Sequence, residues 1–248
     1  MTEPLRHDPP ELEALRQFTV PTLANAIETF GVIPSNSGAC DARMVCRYPR
    51  LPLMLGYAVT ARVTTDLPPS QTRPGVDEHA YWRWIAEQPG PKVAVVQDID
   101  NPSKGAMWGE WNSNVHKALG CIGMVTEGAC RDLDGVEKLN FHFFSTAVLP
   151  THGYGVFIDY NGAVRVAGLE VRTGDLLAGD MHGVILIPAE IPLAELARVA
   201  AEIDQLESEI FALCQSPEFD VEKLAALDSS VAARWPKPTG KERLVKTA

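Results

Sequence analysis

The sequence predicts an α/β fold, and three observations lead there. Apolar runs of strand length end in acids, stretches at helical spacing separate them, and the second half breaks into short strands at turn residues. No period of solenoid type recurs.

Glu11 to Phe18 reads as a helix start. Thr22 to Phe30 reads as a second helix, with Leu23, Ala26, Ile27 and Phe30 at helical spacing before Gly31 ends it. Pro49 and Pro52 flank Arg50 in a connection, and Gly56 to Thr64 alternates with β-branched residues as a strand does. Leu67 to Gly75 carries three prolines and is a loop, which fits a binding lid and a tolerated insertion equally. His79 to Glu87, with Tyr81, Trp82, Trp84 and Ile85, is expected to be a helix packing its rings on a sheet or a neighbouring subunit. Lys92 to Asp100 is an apolar run ending in acids, a buried strand that delivers carboxylates to the edge where ligands gather in α/β sheets. Trp111 to Leu119 follows as a helix, Ile122 to Thr126 as a buried strand and Leu133 to Leu139 as a short helix, which makes a βαβα rhythm.

From Phe141 onward the texture changes. Phe141 to Val148, Gly155 to Ile158, Ala163 to Ala167, Leu176 to Ala178 and Gly183 to Ile187 are short strand candidates, and they read together as a curled antiparallel sheet. A helix over Ile191 to Cys214 carries an apolar stripe of Leu196, Val199, Ala200, Ile203, Leu206, Ile210 and Leu213. Glu207 stands on or beside that stripe, a place that also suits an ordinary surface glutamate. After Pro217 a short helical patch leads to Trp235-Pro236-Lys237-Pro238 and a basic end. The expected organisation is one domain over residues 1–216 and an extension over 217–248, docked on a neighbouring subunit or partly disordered.

With 46% hydrophobic and 22% charged residues, the 248-residue chain has the composition of a globular domain. A formal net charge of −10 disfavours broad attraction to nucleic acid or an anionic membrane, so an anionic substrate needs a local cation or metal. No apolar run reaches membrane-spanning length, and the polar start lacks a signal-peptide core, so the expected location is cytoplasmic. Cys40, Cys46, Cys121, Cys130 and Cys214 are odd in number and show no CxxC spacing; they read as reduced thiols, with Cys121 and Cys130 as core filler.

The segment Gly109-Glu110-Trp111-Asn112, followed by Gly120 through Asp132, concentrates the chemistry. Gly128 is expected to turn the backbone off the strand, so that Arg131 and Asp132 project in opposite directions. Arg131 offers a planar fork for a carboxylate or 2-keto acid, and Asp132 a hard oxygen for magnesium or manganese. Glu110 adds a second carboxylate. At a helix start, the first-turn N–H groups of Trp111 and Asn112 form an anion site. Plain helix capping accounts for the same residues, with Asp132 capping the helix that begins near Leu133.

These segments, with Phe141-His142-Phe143-Phe144 and Pro150, Gly168 through Asp175, and Asp180 through Pro188, resemble the RraA-like family. That family contains class II 4-hydroxy-4-methyl-2-oxoglutarate / 4-carboxy-4-hydroxy-2-oxoadipate aldolases and the regulator of ribonuclease activity A. The resemblance, from about Phe18 to Glu209, implies a three-layer β/β/α swivelling-domain sandwich with a central, partly parallel sheet, a curled antiparallel sheet and terminal helices. It also implies a homotrimer or homohexamer with active sites between subunits. Arg131 would match the arginine that contacts the pyruvyl group, Asp132 the acid nearest an Mg2+ or Mn2+ ion, and Glu110 the water-mediated acid. Gly109, Trp111 and Asn112 would supply the substrate-binding loop, and Glu207 the last-helix glutamate contributed by the adjacent subunit.

The chain departs from the family pattern at Glu127-Gly128, where aldolases read Asp-Gly, and at Thr146 and Ala147, which replace Arg and Gly. His152 and His182 read as surface or structural histidines in turns. The expected activity is a metal-dependent lyase acting beside a pyruvyl unit of a small 2-oxo acid, by retro-aldol cleavage or oxaloacetate decarboxylation. The alternatives are a non-catalytic regulator that binds a ribonuclease, and a sugar-acid aldolase or dehydratase.

Overall fold

The computed structural model describes residues 10–68, 71, 75–100 and 102–237. Ten strands and seven helices alternate along these residues: α1 (Pro10–Leu15), α2 (Val20–Glu28), β1 (Val45–Cys46), β2 (Met54–Thr64), α3 (Glu78–Glu87), β3 (Lys92–Asp98), α4 (Glu110–Ala118), β4 (Cys121–Cys130), α5 (Leu133–Glu137), β5 (His142–Val148), β6 (Val156–Tyr160), β7 (Val164–Val166), β8 (Leu169–Val171), β9 (Leu176–Asp180), β10 (Gly183–Ile187), α6 (Leu193–Cys214) and α7 (Val221–Arg234).

The main sheet runs β1-β5-β4-β3-β2-β9-β10, with β6 also on β2. Its centre, β2-β3-β4-β5, is parallel, and its flanks are antiparallel. The sheet curls until its ends nearly meet: residues 38–40 pair beside β10, and the same stretch continues into β1 on β5. This is the expected three-layer α/β sandwich, with a nearly barrel-shaped mixed sheet and the small β7-β8 sheet.

Three apolar clusters hold the layers. On the parallel part, Val59, Ala61, Val63, Ala94, Val96 and Met124 meet Tyr81 and Ile85 of α3 and Val136 of α5. On the antiparallel part, Leu55, Leu176, Ala178, Ile185 and Ile187 meet α1, α2 and the stripe of α6. The opposite face closes over Met54, Val93, Val95, Val125, Phe144 and Leu177, covered by Val164, Val166, Leu169 and Val171 of the small sheet. Strands buried on both faces explain the continuous apolar runs of β3 and β4. The rings of α3 pack on the sheet as expected, with Tyr81 and Phe157 centroids 4.7 Å apart.

Four expectations need correction. Gly128 does not turn the chain off the strand; β4 continues to Cys130, because a register shift between Thr126 and Ala129 absorbs the irregularity inside the ladder. Phe141 to Val148 does not open an antiparallel half, since β5 is the fourth parallel strand; α5 carries the chain back to pair in that direction. The later strands do not form a sheet of their own: β6, β9 and β10 extend the main sheet, and only β7 and β8 stand apart. The patch after Pro217 is a 14-residue helix, α7, which packs on α6; Arg234 donates to both carboxylate oxygens of Glu209, and Trp235 joins the cluster under α6. Of the expected loop over 67–75, positions 69–70 and 72–74 lie outside the described residues, as do 1–9 and the tail from Pro238.

Candidate active site

The site is assembled where β4 ends and α4 begins. Trp108 pairs in parallel with Cys130, and the Arg131 N–H donates to Trp108 O at 2.9 Å. This short ladder sets Gly109 and Glu110 alongside Arg131 and Asp132, although the pairs lie far apart in sequence. The Glu110 N–H then donates to Asp132 Oδ2 at 3.1 Å. Asp132 Oδ2 also lies 3.5 Å from Arg131 Nε, with the two side chains 41% and 34% exposed respectively. Arg131 and Asp132 therefore converge rather than projecting in opposite directions.

Two glycines make room for this approach. A Cβ on Gly109 would run into Asp132 Oδ2 and lie 3.0 Å from Arg131 Cγ. A Cβ on Gly135, in α5, would lie 2.5 Å from Glu110 Oε2. Glu110 thus lays its carboxylate against the first turn of α5, while Asp132 lays its own against the first turn of α4. The two helix starts exchange acids.

Asp132 occupies the N-cap position of α5 but makes no side-chain cap hydrogen bond there. Its backbone is left-handed, with φ 57° and ψ 39°, a conformation that Asp tolerates better than bulkier residues. The helix-cap reading for α5 is therefore not what its side chain does; the carboxylate turns to α4 instead. The N-cap of α4 is Gly109, which has no side chain to cap with. Beyond the Glu110 amide, the N–H groups of Trp111 and Asn112 belong to the first turn, where no intrahelical carbonyl is available. Trp111 is 74% exposed, so its ring stands at the rim.

The start of α4 is anchored from beneath. Asn112 is buried, and its Nδ2 donates to Met107 O at 2.8 Å, so what it can offer a ligand is its backbone amide. Ser113 Oγ donates to Gly109 O at 2.8 Å. His116 is fully buried, with Nδ1 2.8 Å from Asn112 O and Nε2 3.2 Å from Tyr81 Oη. A carbonyl only accepts, so Nδ1 carries the proton and Nε2 accepts from the tyrosine. Burial depresses the His116 pKa to about 4, which keeps the ring neutral. The Trp108 ring lies tilted against it, with centroids 4.4 Å apart and planes 50° from parallel.

Deeper along the same sheet edge, Asp98 at the end of β3 is buried, and desolvation raises its pKa to about 6. It accepts from the Asp100 N–H at 3.0 Å, and Asp100 in turn accepts from the N–H groups of Thr65 and Asp66. Thr65 Oγ1 accepts from the N–H groups of Lys104 and Gly105, tying down the β3–α4 connection that leads to Gly109.

The structure brings together Gly109, Glu110, Trp111, Asn112, Arg131 and Asp132. It does not bring Glu207 to them within one chain: Glu207 lies on α6 beside the antiparallel end of the sheet, and its partner is Asn25 Nδ2 at 3.5 Å. His152 and His182 are exposed in turns, with His182 3.1 Å from Asp180 Oδ1. Cys121 and Cys130 are core residues, and burial raises both thiols, Cys121 to about 12. His116, Tyr81, Thr65 and Asp98 were not singled out from sequence as parts of this support. The acidic end of the β3 run was the only signal pointing to any of them.

A family model described as RraA-like, aldolase/RraA, matches residues 21–186. Over 106 residues the chain is 33% identical to an uncharacterised protein of Methanocaldococcus jannaschii, covering 42% of this chain and 50% of that one. Over 100 residues it is 32% identical to a Halalkalibacterium halodurans protein whose name, 4-hydroxy-4-methyl-2-oxoglutarate aldolase, is itself provisional; the match covers 40% of this chain and 47% of that one. The chain thus spans about half the length of these curated relatives. Among solved structures, Streptomyces coelicolor RraAS2, described as an unusual member of the RNase ES inhibitor RraA protein family, shares the fold. Its TM-score is 0.65 at 20% identity, covering 82% of this chain and 96% of that one.

Proposed function

This chain belongs to the RraA-like family, aldolase/RraA, and from that premise we propose that it is a divalent-metal-dependent lyase cleaving the carbon–carbon bond next to a pyruvyl group. The substrate is a small 2-oxo acid, taken by retro-aldol cleavage of a hydroxy-oxo acid or by decarboxylation of oxaloacetate. The observation that carries the proposal is the convergence of Arg131 and Asp132 on the first turn of α4, where Asp132 holds the Glu110 amide and the Glu110 carboxylate lies against the adjoining turn of α5.

The residues fit a hard cation held sparsely. No group of three or more His, Cys, Asp or Glu side chains gathers among the described residues. Magnesium and manganese sites commonly use one or two carboxylates and leave other positions to water and substrate. Asp132 engages the Glu110 amide through Oδ2 only, so Oδ1 remains for a cation, and the Glu110 carboxylate lies on the neighbouring first turn of α5. Asp132 would hold the ion directly, with Glu110 acting through water and Glu207 of a neighbouring copy completing the acid set in a homotrimer or homohexamer. When bound, the ion supplies Lewis acidity to the 2-keto group.

The protein groups then divide the work. The N–H groups of Trp111 and Asn112 take the substrate carboxylate at the positive end of α4. Arg131 balances the negative charge that grows on the keto oxygen as the carbon–carbon electron pair moves toward it. Glu110 receives the proton from the substrate hydroxyl in the retro-aldol direction and returns it to the enolate carbon to leave pyruvate, whereas in oxaloacetate decarboxylation that proton comes from water.

The test is pyruvate release from oxaloacetate and from a hydroxy-oxo diacid, by wild type and Arg131→Ala, with and without chelator. Turnover is expected to vanish with chelator, return with magnesium or manganese, and fall at least a hundredfold in Arg131→Ala. Chelator-resistant turnover removes the metal mechanism. Absence of turnover on both substrates under all conditions leaves the family's protein-binding role as the better reading.

A further inference from the structure

Away from the α4 site, the connection between β1 and β2 forms one wall of a cavity of about 410 Å³ against α5 and the turn that follows it. Tyr48, Pro49 and Leu51 give it an apolar side, Arg47, Arg50 and Asn140 a cationic and polar one, and Glu137 of α5 the one lining carboxylate. The volume lies in the range of small-molecule pockets.

The charges in this cavity are not balanced. Arg47 is half-buried and donates through Nε to Ser145 Oγ and through Nη2 to Ser145 O, both at 2.8 Å. No carboxylate pairs with it among the described residues, in a chain of net charge −10. Arg50 pairs with Glu137 at 3.1 Å, but its side chain is 89% exposed, so solvent weakens that contact. A partly desolvated guanidinium without an anion is costly, and the Nη edge that Ser145 leaves open can donate to a carboxylate.

We propose that this cavity binds a small carboxylate with an apolar body, the anion held between Arg47 and Arg50 and the body against Tyr48, Pro49 and Leu51. The cavity is braced on both flanks of the Arg131-Asp132 pair. Ser145 Oγ, which accepts from Arg47, lies 3.1 Å from Cys130 Sγ, and Tyr48 Oη donates to Leu133 O at 2.6 Å. Occupancy therefore alters turnover at the α4 site. That consequence rests on the lyase reading, whereas binding itself does not.

Calorimetry with benzoate as probe, and benzamide as the uncharged control of the same shape, tests the proposal on the full chain. Benzoate is expected to bind saturably and at least tenfold more tightly than benzamide, to weaken at least tenfold in Arg50→Glu, and to bind Arg131→Met as it binds wild type. Arg50 is exposed, so its replacement leaves the fold intact; Arg47→Gln should give the same loss. Equal binding of the two probes, no binding, or a loss in Arg131→Met but not in Arg50→Glu overturns the site. If benzoate binds as expected yet leaves pyruvate release unchanged in wild type, the coupling is overturned and the site stands.

Discussion

Asp132 Oδ2 accepts the backbone N–H of Glu110 at 3.1 Å across 22 positions of sequence, so the end of β4 and the start of α4 form one unit. The acid that stands at the N-cap of α5 leaves that helix uncapped by its side chain and serves α4 instead. A carboxylate held this way is positioned by the backbone, with one oxygen still available.

Asp132→Asn should separate chemistry from folding. The amide oxygen can still accept from Glu110 N–H, so the stability loss should be about 1 kcal/mol, as for exchange of a charged acceptor for a neutral one at a half-exposed site. Pyruvate release should fall by at least a hundredfold. Urea denaturation and turnover measured together decide it, and a loss above about 3 kcal/mol would show that Asp132 is mainly structural.

The two glycines predict opposite balances. Gly109→Ala puts a methyl group into Asp132 and Arg131, so activity should collapse while α4 persists. Gly135→Ala puts one into the mobile end of Glu110, while raising helix propensity in α5 by up to about 1 kcal/mol. Its thermal midpoint should hold or rise even as turnover drops. If Gly135→Ala keeps full activity, the position of Glu110 does not matter.

Much of this site was readable before any coordinates. Glycine, acids and an arginine clustered near strand ends marked the α4 segment, and apolar runs of strand length marked β3 and β4. Strand direction is not readable, because a period of two is the same in parallel and antiparallel ladders, so the sequence pattern alone puts β5 with the antiparallel strands although it is parallel to β4. The left-handed backbone of Asp132 and the meeting of its carboxylate with Arg131 arise from the Trp108–Cys130 pairing, which no local pattern encodes. The same holds for Tyr81 and His116, 35 residues apart in sequence and joined only by packing.

The buried titratable groups set an acid-side pH dependence. His116 and His142 have folded pKa values depressed to about 4 by burial, so the stability that each holds above its unfolded pKa of about 6.5 is lost as pH falls toward 4. Asp98 acts in the opposite sense: its pKa rises from 3.8 to about 6, so its contribution is greatest at low pH and declines as pH rises through that window. Net stability should increase from pH 4 to 6.5, and Asp98→Asn should steepen the increase. Chemical denaturation at stepped pH reads both slopes, and an unchanged slope in Asp98→Asn would refute the raised Asp98 pKa.

Tyr81→Phe should leave His116 Nε2 buried without its donor and cost about 1–3 kcal/mol. Because His116 holds the first turn of α4 through Asn112 O, the Michaelis constant for the 2-oxo acid should rise along with the loss of stability. A variant that loses stability but keeps its substrate affinity would confine the Tyr81–His116 pair to the core.

The central claim is that Asp132 and Arg131 share one cation and one oxo acid. Titration of the protein with Mn2+ followed by electron paramagnetic resonance, alone and with oxalate as an enolate mimic, tests it most directly. The account predicts saturable Mn2+ binding that oxalate tightens, that Asp132→Asn abolishes, and whose oxalate enhancement Arg131→Ala removes. Mn2+ binding that is absent in wild type, or that persists unchanged in Asp132→Asn, would contradict it.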